Sequence, residues 1–177
     1  ILGIFSLTVE SGYFSIALKI ALLSNIFLQI LNSTISPKIA LFFKEKKIEK
    51  LNSLLQDSTL LLTIIGLIIT IILAIFGNDL LLLWGNNFKN AYLALLMLSI
   101  GQLINIITGP VGTTMAMIGE EKTQRQLSLI YASLNILLAL LLTPMFGING
   151  AAFSYMVSIS ILNIHRLIYL KKSHNIR

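Results

Sequence analysis

Apolar residues form five stretches that are each long enough to cross a lipid bilayer as a helix. A spanning α-helix needs about 20 consecutive, mostly apolar residues. The stretches cover about residues 12–36, 59–76, 91–118, 123–142 and 149–170. Pro37 is expected to end the first stretch, because proline has no backbone N–H with which to continue a helix. The third stretch contains Gly109-Pro110, where we expect a kink.

This pattern predicts an all-α integral membrane protein with five full transmembrane helices. Residues 1–9 are also apolar and are expected to be the end of a sixth. No interval within residues 1–177 has the composition of a separate soluble domain, so we predict a single transmembrane domain. Gly77 and Thr143-Pro144 are expected to close the second and fourth spans, since glycine and proline commonly interrupt helices.

Composition supports a membrane protein and excludes most soluble classes. Of the 177 residues, 56% are hydrophobic and 11% are charged, whereas a soluble domain typically carries about 25% charged residues. The mean hydropathy is +0.88. Cysteine is absent, which excludes disulfides, thiolate catalysis and cysteine metal sites. The chain starts without an initiator Met or a signal-peptide pattern, so we expect a piece of a longer protein.

The net charge of +6 is distributed very unevenly along the chain. Eleven of the 13 Lys and Arg residues lie after the first stretch, around the junction of the third and fourth, or at or after the end of the fifth. This count includes Arg125, at the start of the fourth stretch, and Arg166, which is assigned to the cytoplasmic end of the fifth. The loops after the second and fourth stretches carry only Lys89. Cytoplasmic loops of membrane proteins are enriched in Lys and Arg. We therefore predict that the C-terminus is cytoplasmic and that nucleic acid is not a partner.

The segment from about residue 37 to 57 is predicted to be a basic cytoplasmic connector. Its lysines alternate with apolar residues at roughly helical spacing, at Lys38, Lys44, Lys46, Lys47 and Lys50. Such a segment can lie partly along the inner membrane surface, where each lysine near anionic lipid head groups contributes about 1 kcal/mol. A lipid-sensing role and a plain basic loop both fit, and the plain loop is favoured because basic loops are the default on this side.

Lys19 is the most informative polar residue, because it lies near the middle of the first span. A lysine at the centre of a spanning helix costs about 2.5–3.5 kcal/mol on insertion scales. Ser15, Asn25 and Gln29 extend the same polar stripe. One interpretation is a cavity wall whose cation faces an anionic substrate. The other is a lysine that reaches the outer head groups along its apolar stem.

Amides also lie within the third and fourth spans, at Gln102, Asn105 and Asn135. Intramembrane amides bond either polar substrate groups or a neighbouring helix. For Gln102 and Asn105 these two roles are equally supported. All seven acidic residues lie in loops or at span ends. The chain has no Walker A loop, no Ser/His/Asp set and no His-rich cluster, so we predict a non-enzymatic protein without cofactor or metal.

Four stretches resemble the polysaccharide flippases of the Wzx, or O-antigen transporter, type. This family belongs to the superfamily of multidrug, oligosaccharidyl-lipid and polysaccharide exporters. The matching stretches are residues 10–21, which contain Gly12-Tyr13, residues 36–40 before the basic segment, residues 76–85, and residues 144–152. Their order and spacing cover nearly the whole chain.

The resemblance implies that this chain is the C-terminal six-helix lobe of a twelve-helix, two-lobe flippase. The five spans would be the eighth to the twelfth, and the N-terminal lobe would be absent from this chain. The family flips undecaprenyl-pyrophosphate-linked oligosaccharide, an O-antigen or capsule-type repeat unit, by alternating access across the bacterial cytoplasmic (inner) membrane. The implied partners are this lipid-linked oligosaccharide, membrane lipids, the N-terminal lobe and the polysaccharide polymerase machinery of lipopolysaccharide synthesis.

The resemblance also implies roles for the polar residues. Lys19 would contact the pyrophosphate, since a lysine is a compact point charge. The sugar hydroxyls would contact the neighbouring hydroxyl and amide groups, at Ser15, Asn25, Gln29, Gln102, Asn105 and Asn135.

Three alternatives stay open. A cation-coupled multidrug extruder of the same superfamily would favour acidic cavity residues, and a lipid II flippase would share the pyrophosphate chemistry. A non-transporting membrane scaffold or assembly subunit would instead bury its polar stripes against partner helices. Reaction of cysteines placed at Ser15 and Gln102 with soluble thiol reagents separates a cavity from a packed seam.

Overall fold

The computed structural model describes residues 8–176, and the described chain is helical with no strand. The helices are α1 (Thr8–Leu22), α2 (Ser24–Lys44), α3 (Ile48–Leu82), a 3-10 helix (Asn86–Ala91), α4 (Tyr92–Ile107), α5 (Val111–Met117) and α6 (Glu121–His174). The sixth span expected to end in residues 1–9 lies almost entirely outside the described residues.

Four helical segments are long and apolar enough to cross a membrane: α2, α3, the 3-10 helix with α4, and α6. The outer surface agrees with that assignment. On α3, large aliphatic side chains spaced along one side are between 50% and 64% exposed, at Leu60, Ile64, Ile68, Ile71 and Ile75. Such a surface is compatible with a lipid bilayer, because acyl chains are as apolar as these side chains. The all-helical class is therefore confirmed for the described residues, with four helices long and apolar enough to span a membrane, and the count of five spans stays a prediction.

The 54 residues of α6 form two arms that meet at Gly147. Gly147 has φ 56° and ψ −135°, a backbone conformation that favours glycine. A Cβ on Gly150 would overlap the backbone carbonyl of Leu142, so the arms are in close contact beside the turn. The predicted spans 123–142 and 149–170 fall in these two arms.

Contacts between the arms show that they run antiparallel. The Arg166 guanidinium donates to the Ser128 hydroxyl at 2.7 Å. The His174 ring nitrogen lies 3.0 Å from a carboxylate oxygen of Glu120. The two ends of α6 thus meet at the face of the molecule opposite Gly147.

The structure corrects the prediction that Pro37 ends the first span. Pro37 lies inside α2, which continues to Lys44. Ile35 and Ile39 on either side of it are almost fully buried, in one cluster with Leu51 of α3. Proline removes one backbone hydrogen bond, and packing against a neighbouring helix makes that loss tolerable in membrane proteins. The helical run is interrupted earlier, at Leu23, between α1 and α2.

Gly77 and Pro144 also lie inside helices and do not end the second and fourth spans. Gly77 is buried where α3 meets α4, and a Cβ there would lie 3.0 Å from a methyl carbon of Leu95. This glycine therefore serves close packing. Pro144 lies in the last turn before Gly147, where few helical bonds remain for it to break.

The region predicted as a basic connector is divided between two helices. Its first part completes α2, residues 45–47 form a turn, and the rest begins α3. Lys46 in this turn has φ 58°. The kink predicted at Gly109-Pro110 is confirmed, since α4 ends at Ile107 and Gly109 has φ 77° before α5 begins.

Two main apolar clusters hold the described helices together, one towards each end of the bundle. The first joins α1, α3, α4 and the start of the second arm of α6, around Ala17, Leu81, Leu95 and Ala152. The second joins α2, α3, α5 and the Glu120–His174 end of α6, around Ile39, Leu51, Met115 and Leu170. Only a small cluster of Leu28, Leu62 and Ile106 lies apart from these two. The polar residues described next lie beside this small cluster.

Candidate functional site

A hydrogen-bonded network of polar side chains connects three helices of the bundle. The Asn105 amide of α4 donates to Asn25 of α2 at 3.0 Å and to Gln102 at 3.4 Å. The Gln102 amide donates in turn to the hydroxyl of Tyr155, on α6, at 2.7 Å. Three residues that the sequence singled out are thus brought together by the fold. Tyr155 was missed, because a tyrosine in an apolar helix gives no distinctive signal.

The members of this network differ in exposure. Gln102 is 0% exposed, so in this conformation its amide connects helices and has no surface for a ligand. Asn25 and Asn105 are half-buried. Gly101 makes the contact possible, since a Cβ there would lie 3.0 Å from the Cα of Met156. Small residues at such positions let membrane helices approach closely enough for side chains to bond across them.

Lys19, Ser15 and Gln29 lie outside the network, on exposed positions of α1 and α2. The Ser15 hydroxyl donates to the backbone carbonyl of Ser11 at 2.7 Å. Lys19 lies in the last turn of α1, where the helix dipole favours a cation. No carboxylate among residues 8–176 forms an ion pair with it. Its ammonium group is therefore available to a ligand, a lipid head group or another protein surface.

Asn135 is separate from the other predicted site residues. It lies half-buried on the first arm of α6, in a shallow cavity of about 150 Å³ between the two arms. Tyr131, Tyr155 and Ser158 line the same cavity. Tyr155 therefore contacts both this cavity and the Gln102 network.

A second cavity, of about 190 Å³, is lined in part by Arg166 of α6. Its polar lining residues come from α2, α4, α5 and both arms of α6: Asn32, Asn105, Thr113, Gln124, Asn163 and Arg166. The guanidinium donates to Ser128 at 2.7 Å and to Asn163 at 3.4 Å. We refer to it below as the Arg166 cavity.

Sequence reasoning missed the Arg166 cavity because Arg166 was assigned to the cytoplasmic end of the last span. The helix continues to His174, eight residues further. Arg166 therefore lies inside the helical hairpin. Two sequence signals pointed to it: Asn163 precedes it by three residues, and Gln124 and Ser128 share one face of the facing arm.

The loop before α6 holds a small charged contact. Glu120 accepts hydrogen bonds from the Thr123 hydroxyl at 2.7 Å and from the His174 ring at 3.0 Å. Hydrogen bonds to the charged form, led by that of Thr123, lower the pKa of the Glu120 carboxyl below its usual value of 4.5. Within residues 8–176 no group of three or more His, Asp or Glu side chains is placed to hold a metal ion.

Two curated proteins are distantly similar to this chain. A protein named capsular polysaccharide biosynthesis protein CapF, from Staphylococcus aureus, is 26% identical over 149 residues, covering 83% of this chain and 37% of that protein. A protein named probable low-salt glycan biosynthesis flippase Agl15, from Haloferax volcanii, is 22% identical over 180 residues, covering 100% of this chain and 38% of that protein.

The chain thus spans somewhat more than a third of the length of these relatives. No family model and no solved structure matches it. The names of the two relatives refer to polysaccharide or glycan biosynthesis, and one of the names includes a flippase.

Proposed function

We propose that this chain is one lobe of a flippase that moves a lipid-linked oligosaccharide across the cytoplasmic membrane by alternating access. The two relatives named for polysaccharide biosynthesis and glycan flipping support this class. The apolar outer surface of the helices supports a transmembrane lobe. The two antiparallel arms of α6 support five crossings, and hence the five predicted spans.

The observation that carries the proposal is the polar surface along the α1–α2 run. Lys19 and Gln29 are exposed, and Asn25 and Asn105 are half-buried behind them. A cation and several amides facing acyl chains are costly. This surface therefore needs water or a second protein surface opposite it, and the cavity between the lobes of a two-lobe carrier supplies both.

The chemistry of this surface suits a glycosyl pyrophosphate. Lys19 supplies a positive charge for the pyrophosphate, and Ser15, Asn25, Gln29 and Asn105 supply partners for sugar hydroxyls. The polyprenyl tail stays in the bilayer, so the cavity does not have to enclose it. Gln102 and Asn135 are more enclosed and would reach a substrate only after the helices rearrange.

The charge distribution orients the lobe within this proposal. The end with Glu120 and His174 carries the basic segments and would face the cytoplasm, together with the C-terminus. The end with Gly147 would face outward. In a bacterium the cargo would be an O-antigen or capsule-type repeat unit linked to undecaprenyl pyrophosphate. The partners would be an N-terminal lobe and the polymerase machinery.

The experiment is complementation by the full-length gene that encodes this chain. In a deletion strain we expect loss of surface glycan and accumulation of the lipid-linked intermediate on the inner leaflet, both restored by the wild-type gene. Lys19→Ala should restore export poorly and Lys19→Arg largely. Lys89→Ala, which removes another exposed lysine, is the matched control. Normal surface glycan in the deletion strain would contradict the flippase role.

A further inference from the structure

We infer that the Arg166 cavity is a second anion-binding site, distinct from Lys19, that takes the phosphate group of a lipid-linked substrate. The identity of this ligand rests on the proposed function. The site itself rests on the charge, the hydrogen bonds and the cavity around Arg166. This site would bind the substrate through a positive charge that lies nearer the Glu120–His174 end of the lobe.

The charge of Arg166 is not neutralised by the protein around it. Its guanidinium donates hydrogen bonds to Ser128 and Asn163, which are both neutral. Within residues 8–176 no carboxylate forms an ion pair with it. Its Nε is buried and has no hydrogen-bond partner. A charge removed from water is normally paired, because an unpaired buried charge is costly. An anion in the cavity would supply the missing partner.

The cavity has the size and lining that a phosphate group needs. Its volume of about 190 Å³ equals roughly six water molecules at about 30 Å³ each. Among residues 8–176 no acidic side chain lines it, and Thr113 and Gln124 add neutral polar groups. A Cβ on Gly112 would lie 3.3 Å from a terminal nitrogen of Arg166, so this glycine leaves the guanidinium accessible.

A second unpaired group in the same cavity points to a ligand with hydroxyls as well as charge. The side-chain oxygen of Asn32 is buried and has no partner. It is an acceptor, so it suits a sugar hydroxyl rather than a phosphate oxygen. Arg166 and Asn32 both line this cavity, and each has a buried side-chain atom without a hydrogen-bond partner among the described residues, a donor in Arg166 and an acceptor in Asn32. This pair of groups fits a glycosyl phosphate better than an inorganic anion.

The position of the cavity separates it from the Lys19 site. Asn32 lies 13 residues after Lys19 on the α1–α2 run, and a helix rises about 1.5 Å per residue. Lys19 lies in α1, before the interruption at Leu23, and Asn32 lies about 10 Å beyond Asn25 within α2. The two sites are therefore separate along the bundle, and Asn105, which bonds Asn25 and also lines the Arg166 cavity, connects them. An anionic group that leaves Arg166 has polar partners along the way to Lys19.

The test is binding of farnesyl pyrophosphate, a short isoprenyl pyrophosphate, to the purified full-length protein in neutral-lipid nanodiscs. We expect Arg166→Ala to weaken binding by roughly 10-fold or more, the scale of a charge-assisted hydrogen bond. Arg166→Lys should retain part of the affinity. Arg125→Ala removes an exposed arginine of the same helix and should bind as wild type.

Three further measurements distinguish the sources of the phosphate and guard against misfolding. Inorganic pyrophosphate and phosphatidylglycerol are titrated as competitors, and a lipid-linked substrate predicts that both displace the probe weakly. Strong displacement by phosphatidylglycerol would overturn the proposal in favour of a membrane-lipid site. Equal binding of farnesyl pyrophosphate by wild type and by an Arg166→Ala variant with unchanged thermal unfolding would also overturn it.

The complementation strain separates this inference from the proposed function. If the wild-type gene restores glycan export and Arg166→Ala restores it equally well, the second site is wrong while the flippase role stands. If the deletion has no effect on glycan export but the purified protein binds the probe through Arg166, the flippase role is wrong while the anion site stands.

Discussion

The Gln102–Tyr155 hydrogen bond allows a test of whether the mid-bundle network stabilises the lobe. Tyr155→Phe removes the hydroxyl that accepts from Gln102 at 2.7 Å and leaves the ring in place. Gln102→Leu removes the amide and keeps a side chain of similar size. The two substitutions delete the same bond from opposite sides, so a double-mutant cycle isolates its coupling energy.

The two single variants should differ in cost because the two partners differ in burial. Gln102 is 0% exposed, so Tyr155→Phe leaves a buried donor unpaired, at a cost of about 1–2 kcal/mol. Tyr155 borders the cavity that contains Asn135, where its hydroxyl can be hydrated. Gln102→Leu should therefore cost less, about 0.5–1 kcal/mol, as typical bonds between membrane helices do.

The measurement is the free energy of unfolding of the full-length protein in bicelles, determined by steric trapping. We expect the double variant to be more stable than Tyr155→Phe alone, with a coupling energy of about 1 kcal/mol. Tyr131→Phe is the matched control, since its hydroxyl contacts the exposed ring of His165. Strictly additive costs, or a Tyr155→Phe variant as stable as wild type, would refute the reasoning.

Three other predictions follow from the packing, exposure and charge of single residues. Gly101→Ala should destabilise the lobe, because the added Cβ would lie 3.0 Å from the backbone of α6. The expected cost is about 1–3 kcal/mol, reduced by a helix-propensity gain of at most about 1 kcal/mol. Gly12→Ala, whose Cβ would have nothing within 4 Å, should be neutral or stabilising, and thermal unfolding measures both variants. In this cysteine-free chain, Ser15→Cys should react with a membrane-impermeant maleimide and Gln102→Cys should not, and fast labelling at the buried position would show a different packing of α4. The pKa of the Glu120 carboxyl is lowered in the folded state, so its contacts stabilise the fold above the usual pKa of 4.5 and are lost as pH falls through the lower folded-state pKa. Hydrogen exchange at the start of α6 should therefore rise only below pH 4.5. Glu120→Gln should remove this pH-dependent rise.

Of the predicted helix boundaries, the kink at Gly109-Pro110 was confirmed, and the ends at Pro37 and Gly77 were wrong. The kink at Gly109-Pro110 was confirmed because Gly109 adopts a positive φ that glycine permits. Pro37 and Gly77 were wrong as helix ends because neighbouring helices pack against them. Local rules for helix breakers assume solvent around the helix, whereas in this bundle the adjacent helix decides.

The candidate site could be predicted only in part. The sequence identified Asn25, Gln102 and Asn105 as intramembrane polar residues, and the fold joins all three. The sequence predicted Lys19 as the contact for an anion and did not identify Arg166 as a site residue. The difference arises because an arginine eight residues before the end of a helix looks interfacial in sequence, while the hairpin at Gly147 places it against the facing arm.

The helical class, the apolar segments and the uneven distribution of positive charge can all be read from the sequence. These are local properties, because about 20 apolar residues suffice to define a span and loop charge is read directly from the chain. The tertiary structure alone decided which polar side chains meet. Asn25 and Asn105 are 80 positions apart, and Gln102 and Tyr155 are 53 apart. Such pairings depend on the rotation and close approach of whole helices, which small residues such as Gly101 permit but no single segment encodes.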